Sequence, residues 1–462
     1  MPSPYKSVSF WLETCGDDLT PRRELTEDME VDVAVLGGGY SGLWTAYYLL
    51  REEPGLAVTI LEGEIVGFGA SGRNGGWCSA GFPVSLPELA RRYGIESTRR
   101  LHAAMIDSVD EVGRVAGRED IDIHYRRGGA LRIARGEGQR TAVEQSYRAY
   151  ENLGLAEGYR VLTRQQVEAR VRVHTAEGGL FTPHCAAIHP GRLVRGLARA
   201  VERMGATIHE RSRVVTFGER PELALRTNKA QVRARRAVVL AGEAYLSRLR
   251  PLHRQLLPVY SLIVLTEPIS DRLWDEIGWA GHECLGSFRL TVDYLIRTND
   301  GRVLFGSRGA PYHFGSRISP AFDRNGRTEA LIRSLVLDWF PMLRGVRFTH
   351  AWGGPVGMPR DWMPAISFDP HRGMAAARGY TGQGVATANL AGRILADLIL
   401  ERASDLTTLP PVNRRSPNWE PEPFRWLVVR GMQRAFAHID RRMERTGRAP
   451  SGRSIPERLA RH

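Results

Sequence analysis

The segment Val33-Ala-Val-Leu-Gly-Gly-Gly-Tyr-Ser-Gly-Leu-Trp-Thr-Ala46 confines this chain to a strand, a tight turn and the start of a helix. Gly37 permits the turn, Gly39 lets the backbone approach a phosphate, and Gly42 and Ala46 let helix and strand pack closely. The amides at that helix N-terminus then face a dianionic pyrophosphate. A second apolar run, Val58-Thr-Ile-Leu-Glu62, ends in an acidic residue about 20 positions on, where a carboxylate accepts hydrogen bonds from an adenosine ribose. The unit specifies a dinucleotide and does not separate NAD from FAD.

A second glycine segment, Gly67-Phe-Gly-Ala-Ser-Gly-Arg-Asn-Gly-Gly76, follows the acidic strand and suits a backbone passing close to a large flat cofactor. Later elements alternate in character. A helix is predicted over 97–117, with strands over 121–134 turning at Gly128-Gly129. The run 187–192 returns the chain to the first domain through a helix over 193–204. Strands are then predicted over 206–209, 213–216, 223–227 and 231–242, the last a buried parallel strand. Residues 251–347 read as an antiparallel sheet, with a hairpin at Thr298-Asn-Asp-Gly301. Gly379-Tyr-Thr-Gly-Gln-Gly384 opens a helix over 385–400.

The expected organisation is an N-terminal arm (1–29), a cofactor domain (30–95, 186–250 and 348–405), a substrate domain (96–185 and 251–347) and a tail (406–462). Such a length exceeds one ordinary core. The path weaves twice between cofactor and substrate regions, which is the path of a flavin fold and not of a simple NAD dehydrogenase.

The net charge of +13 raises the question of nucleic acid, but only Lys6 and Lys229 are lysines and the tail is arginine-rich, so a coding bias explains the balance and no nucleic-acid partner is expected. No window approaches 18 consecutive apolar residues, and the first ten residues lack the apolar core of a signal peptide. Cys15, Cys78, Cys185 and Cys284 show neither paired nor metal-ligand spacing, so a reduced cytoplasmic chain with no metal is expected.

Taken in order, several pieces resemble the D-amino-acid-oxidase-like family of FAD-dependent oxidoreductases, and within it the γ-glutamylputrescine oxidoreductase group. They are the two glycine segments, Gly128-Gly-Ala-Leu131, His189-Pro190, Asp293-Tyr294 with Arg297, the run from Trp352 through Asp361 to Pro364, and Gly379 to Gly384. The resemblance covers roughly residues 8–405. It implies an α/β chain in which a glutathione-reductase-type, Rossmann-like FAD-binding domain is interleaved with an antiparallel substrate sheet, followed by a helical tail. Glu62 would hold the ribose, the Val214 backbone the adenine edge, and Ser71, Arg73, Asn74, Gly75, Gly76 and Trp77 the pyrophosphate and flavin side. Tyr40, Ser41, Gly69, Ala70, Ala241 and Gly242 would complete that wall. Gly382, Gln383, Gly384 and Val385 would meet the flavin from the far end, and Trp352, Tyr294, Arg297 and Gln383 would surround the reacting atoms.

The activity implied is oxidation of a C–N bond of a small primary or secondary amine, γ-glutamylputrescine-like, by hydride transfer to flavin N5. Imine hydrolysis and reoxidation, with O2 preferred as acceptor, would follow. Two other readings stand: oxidation of an N-methyl or unusual amino compound, and a flavin-binding subunit without catalysis. Oligomeric state is left open.

Departures from the family pattern bear on the substrate. Val356 stands where amino-acid oxidases carry a carboxylate-binding arginine, which favours an amine without an α-carboxylate, while Arg289 and Arg297 remain candidates for an acidic group elsewhere. No lysine matches the one that sarcosine-oxidase relatives place over the flavin. Many relatives carry His in place of Gln383. Trp77-Cys78 matches a Trp-His pair whose histidine tethers the flavin in related dehydrogenases; non-covalent FAD is preferred here, with a Cys78 link as the other reading. His350 reads as structural more than catalytic, and Asp361 as either. The tail predicts a basic amphipathic helix over 424–444, with Phe424, Leu427, Val428, Met432, Ala435, Phe436, Ile439 and Met443 on its apolar stripe, docked on the body or a partner subunit in preference to a membrane surface.

Overall fold

A computed structural model describes residues 3–308, 312–449 and 454; the end of the predicted tail lies outside the described residues. Two eight-stranded sheets dominate. The first has the order Ala365–Asp369, Met374–Arg378, Gln231–Leu240, Met29–Leu36, Val58–Leu61, Thr207–His209. Its interior strands are parallel, and the antiparallel strands Thr216–Gly218 and Ala224–Arg226 extend the Gln231–Leu240 strand. Both faces are covered, which is why Val33, Ala34 and Val35 are all fully buried and the strand does not alternate.

The helices Tyr40–Glu52, Ile95–Arg118, Pro190–Arg203 and Gly384–Ile399 contribute most of one core with this sheet. Trp44 stacks on Tyr48 at 5.7 Å. A Cβ on Gly392 would lie 2.6 Å from that of Trp44, so glycine sets the helix–helix approach.

The second sheet runs Phe348–Met358, Leu257–Thr266, Val303–Arg308, Asp293–Arg297, Cys284–Ser287, Ala130–Arg135, Ala176–Thr182, Arg160–Thr163. It is antiparallel except where Cys284–Ser287 pairs in parallel with Ala130–Arg135. Its outer face packs Trp279, Trp339 and Phe340 against the helix Gly326–Trp339. Its inner face looks toward the first sheet across a cavity.

The structure differs from the sequence expectations at four places. Phe348–Met358, expected in the cofactor region, is an edge strand of the second sheet, paired with Leu257–Thr266 in one register from His350 to Met358 and shifted by a bulge before it. The helix Ile95–Arg118 lies with the first core and not the second, because Leu101, Met105, Val109 and Val112 form one apolar stripe facing it. Within 121–134 only the end is a strand: Arg126 makes a single bridge to Ala187, and Gly129 at φ +78° turns the chain into Ala130. The predicted strand over 213–216 forms later, at Thr216–Gly218.

The C-terminal helix spans Phe424–Thr446 and docks on the body, with the expected stripe buried or half-buried from Met432 to Met443 and departing from expectation only at its N-terminal end. Phe424, Leu427 and Val428 are exposed, while Arg425, Val429, Asp440 and Met443 are buried. At the N-terminal end the buried face is rotated from the expected stripe by about one residue, roughly 100°. Polar anchors set it. Glu422, which also accepts from Arg425, accepts from Tyr312 Oη at 2.7 Å and Gly315 N at 2.9 Å, and Asp440 accepts from Leu290 N and Thr291 N at 2.9 Å each and from Thr291 Oγ1 at 2.6 Å. Asp440→Ala leaves these donors without their acceptor, a cost of about 1–3 kcal/mol. Thermal melting is expected to show a Tm lower by several degrees, and an unchanged Tm would contradict this anchoring.

Candidate active site between the two sheets

A cavity of about 1150 Å³ runs between the sheets. Its first end is built from backbone. Gly37 has φ +108°, and a Cβ there would sit 2.7 Å from Ala241 O, so the turn and the neighbouring strand end approach as only glycine allows. Gly39 is the N-cap of Tyr40–Glu52 with no side chain capping it, so the first-turn amides open on the cavity. Ser71 Oγ accepts a hydrogen bond from Tyr40 N at 2.9 Å, tying the two glycine segments together, and Ser41 Oγ lies 2.7 Å from Tyr380 Oη. Gly69, Ala70, Val214, Ala241 and Gly242 line the same end. Gly42 does not, because a Cβ there would fall 2.0 Å from Gly37 O; its role is close packing. Gly76 is also off the wall, packed against Ile296 and Ile188.

Glu62 follows the strand Val58–Leu61 and accepts N–H bonds from Gly38 at 2.9 Å and Glu64 at 3.0 Å. Its carboxylate faces the cavity but lies deep in the protein, and burial pushes its pKa up to about 7 against those donors. Glu243, missed in the sequence, also lines the cavity; it accepts from Gly379 N at 2.9 Å, and burial pushes it up to about 7 as well.

The second glycine segment braces itself. Arg73 pairs with Asp323 at 2.6 Å and donates to Phe68 O and Gly353 O, so its charge is answered within the protein. Asn74 Nδ2 donates to Ala70 O and Ser71 O, and its Oδ1 accepts from Gly76 N at 2.9 Å. Arg73, Asn74, Gly75 and Trp77 line the cavity. On the short strand Trp77–Ser79 the side chains alternate, so Trp77 and Ser79 reach the cavity while Cys78 is fully buried in the first core. Burial pushes the Cys78 thiol up, and its direction away from the cavity removes the basis for a flavin link through it.

Across the second sheet, register places Ile263, Gly306, Tyr294, Gly286, Arg132 and Leu180 in one row. Tyr294 lines the cavity with its hydroxyl 3.0 Å from Ser261 Oγ, and its ring fills the space a Cβ would need at Gly75 and Gly306. Gly382, Gln383, Gly384 and Val385 line the wall opposite, where Gln383 is the N-cap of Gly384–Ile399 without a side-chain cap.

Two expected reacting-end residues are elsewhere. Trp352 is 2% exposed, packed edge-on to Trp11 at 6.3 Å and donating from Nε1 to Arg73 O at 2.9 Å; it supports the glycine segment from behind. Arg297 is three residues from Tyr294 on an alternating strand and points to the other face, over Trp274 at 4.1 Å and bonded to Trp279 O.

Outside the cavity wall, His350 is 2.9 Å from Glu13 Oε2 and helps dock the N-terminal arm, and Asp361 pairs with Arg414. Val356 does line the cavity. Sequence reasoning missed Arg132, the stacked pair Tyr150 and Tyr159 at 3.8 Å, and Phe436 of the C-terminal helix, all on the wall. An arginine inside the apolar strand Ala130-Leu-Arg-Ile-Ala134 was the available signal for Arg132.

The residues fit FAD: a glycine cradle with no room for side chains, an uncapped helix N-terminus, and a fixed carboxylate near Val214. No helix among the described residues is long and apolar enough to cross a membrane.

The family model for FAD dependent oxidoreductases (DAO) matches residues 32–398. The chain is 31% identical to the gamma-glutamylputrescine oxidoreductase of Escherichia coli over 87% of this chain and 92% of that one. It is 30% identical to the probable oxidoreductase OrdL of Haemophilus influenzae over 81% and 84%. The glycine oxidase of Geobacillus kaustophilus shares the fold with a TM-score of 0.68, at 22% identity, covering 84% of this chain and all of that one.

The raised pKa of Glu62 has a definite sign. A carboxyl titrating near 4.3 in the unfolded chain and near 7 in the fold adds stability below pH 4.3 and loses it as pH rises through 7. In the cofactor-free protein, Glu62→Gln is expected to flatten the fall in Tm between about pH 4 and 7; an unchanged slope would contradict the assignment. Backbone cradle, held carboxylate and family match agree: the chain belongs to the DAO family of FAD-dependent oxidoreductases.

Proposed function

We propose that this protein oxidises a C–N bond of a small primary or secondary amine of the γ-glutamylputrescine kind, with O2 as final acceptor. The observation that carries the reading is the shape of the cavity: a dinucleotide cradle continues into a chamber walled by Tyr294, Trp77, Gly286 and Phe288. Such a volume exceeds that of an ordinary small-ligand pocket and suits cofactor and substrate side by side. The relative in Escherichia coli, named for γ-glutamylputrescine, supports the substrate class. Val356 on the cavity wall supports it from the other direction, since valine offers an α-carboxylate no partner.

Bound FAD supplies a two-electron acceptor. Gly37, Gly39, Ser71, Glu62 and Val214 would hold its adenosine and pyrophosphate parts, and Gly382 to Val385 its other end. The chain's own task is then orientation, exclusion of water and a suitable protonation state. The Tyr294 and Ser261 hydroxyls, 3.0 Å apart, orient the amine as hydrogen-bonding partners. Trp77 and Phe288 keep the chamber dry. The first-turn amides after Gln383 stabilise negative charge that develops beside them. The substrate carbon gives up a hydride, the nitrogen lone pair forms the imine as its proton leaves to water, and a second water hydrolyses the imine to an aldehyde and ammonia, or to an aldehyde and an amine where the substrate is a secondary amine.

Anaerobic mixing of the FAD-loaded protein with an amine panel tests the reading. An acylated diamine is expected to bleach the flavin absorbance, and air to restore it with formation of hydrogen peroxide. Bleaching by glycine in preference to the acylated diamine, or by no amine, would overturn it.

A further inference from the structure

On the second-sheet side of the cavity, away from the cofactor end, stands a cation with no ion-pair partner among the described residues. Arg132 projects from the middle of Ala130–Arg135 and lines the cavity, open to it although deep in the molecule. Its guanidinium lies over the Phe288 ring at 4.1 Å, and Nη2 is 3.5 Å from Ser287 O. Among the described residues no carboxylate forms an ion pair with it. Asp293, the nearest acidic influence, is occupied: both its oxygens accept from Ser287, at 2.7–2.8 Å.

The other arginines of the wall are accounted for. Arg73 pairs with Asp323, Arg213 with Glu64 at 2.6 Å, and Arg289 with Glu444 at 3.0 Å. Arg248 donates to Ile318 O beside the cofactor end. The histidines nearby carry no competing charge, since burial pushes His102 down to about 4 and lowers His184 too. The surrounding protein disfavours the charge on Arg132, and a guanidinium open to the cavity is stabilised by an anion with two acceptor oxygens.

Position adds reach. Arg132 and Tyr294 stand in the same cross-strand row with Gly286 between them, so their Cα atoms are about two strand spacings, roughly 10 Å, apart. Gly286 adds no side chain between them, and the edge of the Trp77 ring lies over it, 3.5 Å from where a Cβ would stand. Phe288 is fixed in turn, because Phe288 N donates to Gln139 Oε1 at 3.1 Å and Asp440 holds the next turn of chain at Leu290 and Thr291. That clamp comes from the C-terminal helix, beyond the residues the family model matches.

Building on the amine-oxidation reading, we propose that Arg132, backed by Phe288, is an anion subsite that selects amines carrying a carboxylate several bonds from the oxidised carbon. The carboxylate of such a substrate lies on the guanidinium while its amine lies along the row at Tyr294. A free α-amino acid, with both groups on one carbon, cannot occupy both places.

Equilibrium binding separates this subsite from the reaction. N-butylglutaramate carries the carboxylate and chain but no oxidisable amine, and its methyl ester lacks only the charge. The FAD-loaded protein is expected to bind the acid about 10- to 100-fold more tightly than the ester. Arg132→Gln abolishes that preference with ester binding unchanged, and Arg132→Lys restores part of it. Equal binding of acid and ester by the unaltered protein, a preference that survives Arg132→Gln, or equal loss of both ligands in that variant would overturn the proposal. If no amine bleaches the flavin, the amine reading fails while this preference is still read directly.

Discussion

Everything at the cofactor end depends on backbone meeting backbone. The turn at Gly37 lies against the end of Gln231–Leu240, and Gly42 lies against Gly37 itself, with no room for a Cβ at either place. This contact aims the first turn of Tyr40–Glu52 into the cavity, where its N-cap glycine supplies no side chain and only Tyr40 N is met, by Ser71 Oγ. It also brings Gly38 N onto Glu62, which fixes a carboxylate at the neighbouring strand end. A side chain at Gly37 or Gly42 would separate strand, helix and carboxylate together, because no flexible group is present to yield.

Those backbone relations were readable because they are local. The spacing of Gly37, Gly39, Gly42 and Glu62 is set by one strand-turn-helix-strand unit, so sequence distance and spatial distance agree. The side-chain wall was less readable. Tyr294 and Arg297 belong to one motif, yet strand alternation sends them to opposite faces. Trp352 lies in the same cross-strand row as Tyr294, but Trp11 of the N-terminal arm has filled the space in front of it. Arg132 carried no motif at all. Its importance arises from a register that joins residues 132, 286 and 294, which only the folded sheet brings together.

The tail shows the same limit. Its apolar stripe predicted the docking face from Met432 to Met443 but not at Phe424, Leu427 and Val428, where Arg425 and Val429 are buried instead. A buried carboxylate with three donors outweighs the exposure of Phe424, Leu427 and Val428. The outcome ties a segment outside the family match to the cavity through Phe436 and the loop at Leu290. Cofactor cradle and substrate chamber thus have different origins: the first is backbone and local, the second is side-chain and assembled from distant strands.

Titration of the cofactor-free protein with flavins tests the central claim most directly. FAD is expected to bind one per chain with its fluorescence changed. FMN lacks the adenosine half that Glu62 and Val214 would meet, so its binding is expected to be weaker by ~100-fold or more. NAD should not displace bound FAD. Equal affinity for FMN and FAD, or displacement of FAD by NAD, would contradict the account.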